Sequence, residues 1–204
     1  MITIACCLWD ANDLSADFSR CYDETWVDKL YRGFERNLTK PFSFACFTDR
    51  ERNFREPVEQ IIDKTLGMNG YGDCIAPFIL DEPMIFCGLD TVITGNCDEF
   101  ANYCLTSDIM ALPQHPREPQ HACNGIALVP AGYRKVYEDW RGENDMVWLR
   151  KWPHVYIDAI FKDQVKSYKA HVREFGLGDA RIVYFHGRPK QPDLNEAWIK
   201  ENWR

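Results

Sequence analysis

Two residues in this sequence, a carboxylate and an imidazole, each stand where an apolar run stops. Asp90 follows the run "MIFC" in "MIFCGLDTVITGN", residues 84 to 96, and His186 follows "RIVYF". Together they could share one divalent cation. Carboxylate suits Mg²⁺ or Mn²⁺, and imidazole tolerates the softer Mn²⁺. Gly187 after the histidine lets a backbone approach a ligand closely. Arg188 and Lys190 are the cations a diphosphate would want. A metal ion with two basic side chains would stabilise charge developing on a departing phosphate. The same residue types also serve blander ends, Asp90 as a turn cap and His186 as a satisfied core histidine.

The elements that must position these residues follow from hydrophobic patterning. "ITIACCLW" reads as a buried strand, and "DETWVDKLYRGFERNL" spaces Trp26, Leu30, Phe34 and Leu38 for one face of a helix, with Asp23 and Glu24 in its first turn. "FSFACFTD" is a second strand, so the order strand, helix, strand points to an α/β layered fold with a parallel sheet. "REPVEQIIDK" reads as an irregular link ending in an edge element, and "NGYGDCIAPFIL" as a loop leading into a short helix or turn. Later come the strand of residues 84 to 87, which stops at Gly88-Leu89-Asp90 and resumes with Thr91, Val92 and Ile93, a strand in "HACNGIALVPAG", helices in "YRKVYEDWR" and "NDMVWLRKW", a strand in "DARIVYFHG" and a terminal helix that Asp193 would cap. Asp10, Asp49, Asp90 and His186 all follow strands, and ligands bind open α/β sheets at the carboxyl ends of strands.

Composition narrows the class. The 204 residues are 46% hydrophobic and 27% charged, enough for one core, and without repeats the chain reads as a single domain, 1–204. A net charge of −7 argues against a general affinity for nucleic acid. No run approaches the roughly 18 apolar residues of a membrane span, and the start lacks a signal-peptide pattern, so a cytoplasmic protein is expected. The nine cysteines form no CxxC pair and sit mostly in apolar runs, which fits small buried hydrophobes in a reducing compartment. His115 and His121 flank a proline-rich stretch that would suit a loop over an active site but reads more simply as a surface loop without a role. In "SYKAHVRE", Lys169 and Arg173 would share a helical face that could meet an anionic acceptor, though such a run more often makes a solvated face. Trp140, Trp148, Trp152 and Tyr137 are expected in core packing rather than against a sugar ring.

Several segments, in order, resemble nucleotide-sugar glycosyltransferases of the GT-A fold, family eight and lipopolysaccharide-type enzymes in particular. "MIFCGLDTVITGN" is similar to their strand, Asp-x-Asp, strand segment. "YFHGRPKQP" is similar to their His-x-x-Gly-x-x-Lys-Pro element, here spaced His-Gly-Arg-Pro-Lys. "FTDR" resembles the second-strand end near the nucleotide base, "HACNGIALVPAG" the Asn-x-Gly strand lining the sugar site, and "GENDMVWL" the acidic segment beyond it. The resemblance implies a Rossmann-like domain with a mixed central sheet, a nucleotide-sugar donor (UDP-sugar above all), Mn²⁺ or Mg²⁺, and an acceptor hydroxyl on a carbohydrate or other molecule. It leans to a retaining outcome. Carried over by position, it makes Asp90 and His186 metal ligands and gives Lys190 and Arg188, with Gly187, the diphosphate. Asp49 would lie near the base, Asn124 and Gly125 by the sugar or acceptor, and Asp145 as the acid at the transferred sugar.

One departure stands out. Gly88 occupies the place of the family's first aspartate, which contacts the donor ribose and often the metal, so one anionic ligand is missing. Asp73, Asp81 and Glu82 lie upstream as conceivable substitutes. The loss also motivates a rival reading, a nucleotide-sugar binder that no longer transfers. A nucleotidyltransferase would need a glycine-rich basic loop after the first strand, and "LWDANDLSADFSR" contains no glycine. Peripheral contact with a membrane through a lipid-linked acceptor stays open.

Overall fold

The first apolar run becomes strand β1 (Ile2–Leu8), buried along its whole length because both of its faces are covered. A computed structural model describes residues 1–204. Side chains alternate along a strand, and β1 divides accordingly. Ile2, Ile4, Cys6 and Leu8 pack against Trp26, Leu30 and Phe34 of helix α1 (Glu24–Asn37). Ala5 and Cys7 meet Ile75 and Phe78 from the 3₁₀ run Gly70–Leu80 on the opposite face. Asp23 starts α1 by accepting the Thr25 backbone N–H, and the extended Leu38 ends it.

Strands β2 (Phe42–Thr48) and β3 (Glu59–Ile62) run parallel to β1, with β3 at the sheet edge where the link was expected to end. On the other side of β1 lies β4 (Met84–Cys87), also parallel. The chain then crosses to β5 (Thr91–Ile93). Helix α2 (Asp98–Thr106) leads to β6 (Met110–Leu112), followed by β7 (Ile126–Val129) and, later, β8 (His154–Tyr156). Because β7 runs antiparallel to both β4 and β6, the sheet is mixed, as the resemblance implies and strand order alone does not. Its order is β3-β2-β1-β4-β7-β6-β8. A second sheet of three strands places β10 (Ile182–Tyr184) between β5 and β9 (Val165–Ser167).

Three local expectations change. The glycine-rich segment is a single 3₁₀ run of 11 residues that roofs one face of the sheet. Asp193 does not cap the terminal helix Ala197–Asn202. It accepts from the Lys190 backbone N–H (2.8 Å) and from Arg188 (2.8 Å), closing the turn before that helix. Lys169 lies in a π-helical turn, Tyr168–Val172, rather than on an α-helical face continuous with Arg173. The four aromatic residues Tyr137, Trp140, Trp148 and Trp152 pack against the core, as expected. No helix is long and apolar enough to cross a membrane.

Candidate active site

The chain leaves the large sheet at Cys87 and joins the small one at Thr91, and the three residues between them form the hinge of the site. Gly88 N–H donates to Gly125 O (3.2 Å), Thr91 N–H to Gly88 O (3.2 Å) and Phe185 N–H to Asp90 O (3.2 Å). These bonds tie together the ends of β4 and β10 and the start of β7. A cavity of about 480 Å³ opens at this junction, beside the carboxyl end of β1. Its walls include Trp9, Asp90, Asn124, Asp145, Lys169 and His186. That volume lies within the range of small-molecule and cofactor sites.

Asp90 is already neutralised from within the protein. Its Oδ2 accepts from Tyr22 Oη (2.9 Å) and from the ammonium of Lys190, a side chain with no exposed surface. Lys190 Nζ also lies 4.7 Å from the ring centre of Phe18 and 5.3 Å from that of Tyr22, a cation held between two aromatic faces. Burial, and then the Asp90 carboxylate, raise the Tyr22 phenol far above its usual range, so it remains a donor. Lys190 therefore sits behind the cavity wall, not in the cavity.

The residues present do not make a metal cage. Position 88 has no side chain, one Asp90 oxygen is taken by Lys190 and Tyr22, and His186 Nε2 shares a hydrogen bond with Ser167 Oγ (2.9 Å). No group of three or more His, Cys, Asp or Glu side chains converges anywhere to hold an ion. The upstream acids do not substitute. Asp73 accepts from Gly67 and Asn69 N–H (2.6 and 3.1 Å), Asp81 from Gly132 N–H (2.9 Å) and Glu82 from Thr3 (3.0 Å). Asp90 and His186 thus both line the cavity but share no metal-binding geometry.

Also lining the cavity, Asn124 Nδ2 donates to Asp145 Oδ2, while Asp145 Oδ1 accepts the Met146 N–H (2.8 Å). Asp145 opens a short helix, Asp145–Leu149, that Asn144 caps. Burial pushes the Asp145 carboxyl up to about 6, against the opposing pull of the Met146 N–H and the Asn124 amide. Gly125 gives this wall its shape, since a Cβ there would stand 2.7 Å from the ring of the buried Tyr184. Gly125→Ala is expected to destabilise the protein by ~1–3 kcal/mol through overpacking. A denaturant melt checks it, and an unchanged midpoint would show that the Tyr184 ring can yield.

The third wall is basic. Ser167, fully buried at the end of β9, holds His186 Nε2 and also accepts from Ala170 N–H (3.3 Å) inside the π-helical turn. The turn directs Lys169 into the cavity against Gly187, whose φ of +61° and missing side chain leave room. A Cβ at Gly187 would lie 3.2 Å from Lys169 Nζ. Arg117, in the proline-rich loop with His115, lines the same end. Burial first, then the charges of Lys169 and others, lower the His186 pKa, so the ring is neutral near pH 7.

The cavity thus collects Gly88, Asp90, Asn124, Gly125, Asp145, His186 and Gly187 and leaves out three expected residues. Asp49, expected at the base, binds the Asp10 N–H (3.1 Å) and the buried Arg52 (2.6 Å) instead. Arg188 is spent on Asp193, and Lys190 is sealed beneath Asp90. The sequence points to Lys169 only as part of a basic helical face, and sequence reasoning missed Arg117 and the aromatic end of Trp9, Phe18, Tyr22 and Tyr71. The Cys7 and Cys123 thiols on the wall are pushed up by burial and stay protonated, so they are no nucleophiles.

This architecture is a GT-A-like fold, the fold of glycosyltransferases. In particular, the glycosyltransferase GlyE of Streptococcus pneumoniae TIGR4 superposes with a TM-score of 0.59 and 11% identity, over 97% of this chain and 59% of GlyE. The bifunctional glycosyltransferase WbbM gives 0.61 and 7%, over 93% of this chain and 46% of WbbM. The galactosyltransferase LgtC, solved with donor and acceptor sugar analogues, gives 0.58 and 8%, over 93% of this chain and 88% of LgtC. The chain therefore spans about three-fifths of GlyE and less than half of WbbM. No family description and no curated protein matches the sequence. At such identities the likeness speaks for the fold.

Proposed function

We propose that this chain is a single-domain glycosyltransferase that moves a sugar from a nucleotide-diphosphate sugar, with UDP-sugar the leading donor, to an acceptor hydroxyl on a carbohydrate or other molecule. The observation that carries the reading is the pair of the half-buried Asn124 and the buried Asp145 facing a cavity at the junction of the two sheets, in a GT-A-like fold. The donor would lie with its diphosphate toward His186 and Gly187 and its sugar toward Asp145. As the bond from the anomeric carbon to the diphosphate oxygen lengthens, positive charge grows on the sugar ring. A carboxylate held in a dry wall stabilises that charge more than water would. The acceptor oxygen then bonds to the anomeric carbon and passes its proton to the departing diphosphate oxygen, and the nucleoside diphosphate leaves. Asn124 acts by orienting Asp145. The nine unpaired thiols support a cytoplasmic setting.

Slow hydrolysis of the donor tests this without knowledge of the acceptor. Purified protein incubated with a panel of nucleotide-sugars is expected to release free sugar and nucleoside diphosphate from at least one of them, and Asp145→Ala is expected to abolish that release. A panel that is bound but left intact would point to a binder rather than a transferase.

A further inference from the structure

The GT-A resemblance leads one to expect a metal ion beneath the donor diphosphate, yet the donor set for it is not there. Gly88 supplies no ligand, and Asp90 has Lys190 for its counter-ion. The charge that a diphosphate needs is found on the neighbouring wall instead. Lys169 and Arg117 both line the cavity, and neither side chain makes an ion pair or a hydrogen bond within the protein. Lysine and arginine heads that reach a cavity without a protein partner are free to meet an anion.

Their placement is built rather than incidental. Ser167 fixes both His186 and the first residues of the π-helical turn, so imidazole and ammonium are set by one buried hydroxyl. π-Helical turns are rare and concentrate at functional sites. Gly187 provides the space that Lys169 Nζ occupies, and any side chain there would press on it. The Arg117 loop is closed by paired backbone bonds, His115 N–H to His121 O (2.7 Å) and Cys123 N–H to Pro113 O (2.8 Å), with Gln114 bridged to Ala122.

We propose that Lys169 and Arg117 hold the diphosphate of the donor and that donor binding needs no divalent cation, because Lys190 already takes the place of the ion beside Asp90. This rests on the nucleotide-sugar reading above. In the reaction the two cations gather the electron pair that the breaking bond leaves on the diphosphate oxygen. Lys190 acts at one remove, as the counter-charge that keeps Asp90 in place.

Calorimetric titration of UDP, followed by ADP, GDP and CDP, tests the proposal in the presence of EDTA and again with Mn²⁺. At least one nucleoside diphosphate is expected to bind with the same affinity in both. Lys169→Ala and Arg117→Ala should each weaken it roughly 10- to 100-fold, the worth of one charged hydrogen bond. Lys169→Arg should retain most of the affinity, and thermal melts should show the variants folded. Binding that appears only with Mn²⁺, or that survives Lys169→Ala unchanged, would overturn the proposal while leaving a nucleotide-sugar site standing. Failure of every nucleoside diphosphate to bind under either condition would overturn the functional reading as well.

Discussion

Asp90→Ala is expected to destabilise the protein by ~3–5 kcal/mol, the cost of leaving a buried ammonium without its partner. Lys190 has no exposed surface, and Asp90 and two aromatic rings are its surroundings. Removing the carboxylate strands a cation that water cannot reach. Lys190→Met should cost less, since methionine fills a similar volume and Asp90, which keeps 13% exposure, retains the Tyr22 hydroxyl. The double variant Asp90→Ala, Lys190→Met should be more stable than Asp90→Ala alone, because no uncompensated charge remains, and guanidinium melts of the four proteins close the cycle. If Asp90→Ala melts like the parent, the ion pair contributes nothing and Asp90 is free for another role. The consequence reaches beyond stability. Inactivity of an Asp90 variant would not by itself reveal a metal ligand, since the fold itself loses an ion pair.

Asp145→Asn is expected to lower kcat/KM by roughly 10²- to 10³-fold, a range seen when one preorganised electrostatic partner of the transition state is removed. Its fold should survive, and its pH behaviour should separate function from structure. The Asp145 carboxyl titrates at about 6 in the folded protein and at its ordinary 3.8 when exposed, so the folded chain holds the proton more tightly. The stability this contributes is fully present below 3.8 and fades as the pH rises through 6, so ionising Asp145 costs the fold on the order of 2–3 kcal/mol above that point. Asp145→Asn should lack this pH dependence. If Asp145 acts as proposed, in its carboxylate form, the rate of the parent protein should fall as the pH drops through about 6. A pH–rate profile that is flat from 5 to 8 would remove Asp145 from the chemistry.

Much of the frame was legible because long patterns carry information that short ones lack. β1 and β2 are apolar runs of seven residues and α1 has a clear helical period over 14, and all three form where those patterns put them. β6, β8 and β9 have three residues each, too few for alternation to register. β5 and β10 are as short and show in the sequence as apolar runs, but nothing there says that they pair in a second sheet. The site was legible in part for the same reason. Asp90, Asn124, Asp145 and His186 stand beside recognisable segments, and the fold brings all four to one cavity. Lys169 was read on the wrong kind of turn, because a π-helical turn has no sequence period of its own. Lys190 and Asp90 were both noticed, but as neighbours of a ligand. Residues 100 apart gave no sign that they satisfy each other. Asp49 failed similarly, since its partner Arg52 is drawn inward by Thr48 and Asp10 as well.

The most direct measurement of the central claim, that this cavity is a nucleotide-sugar site, is a crystal structure of the protein with a bound nucleoside diphosphate and then with an unreactive donor analogue. The diphosphate is expected against Lys169, His186 and Gly187, the base along Trp9 and its aromatic neighbours, and the sugar beside Asn124 and Asp145. A nucleotide bound elsewhere on the protein, or a diphosphate seated away from that basic wall, would contradict the account.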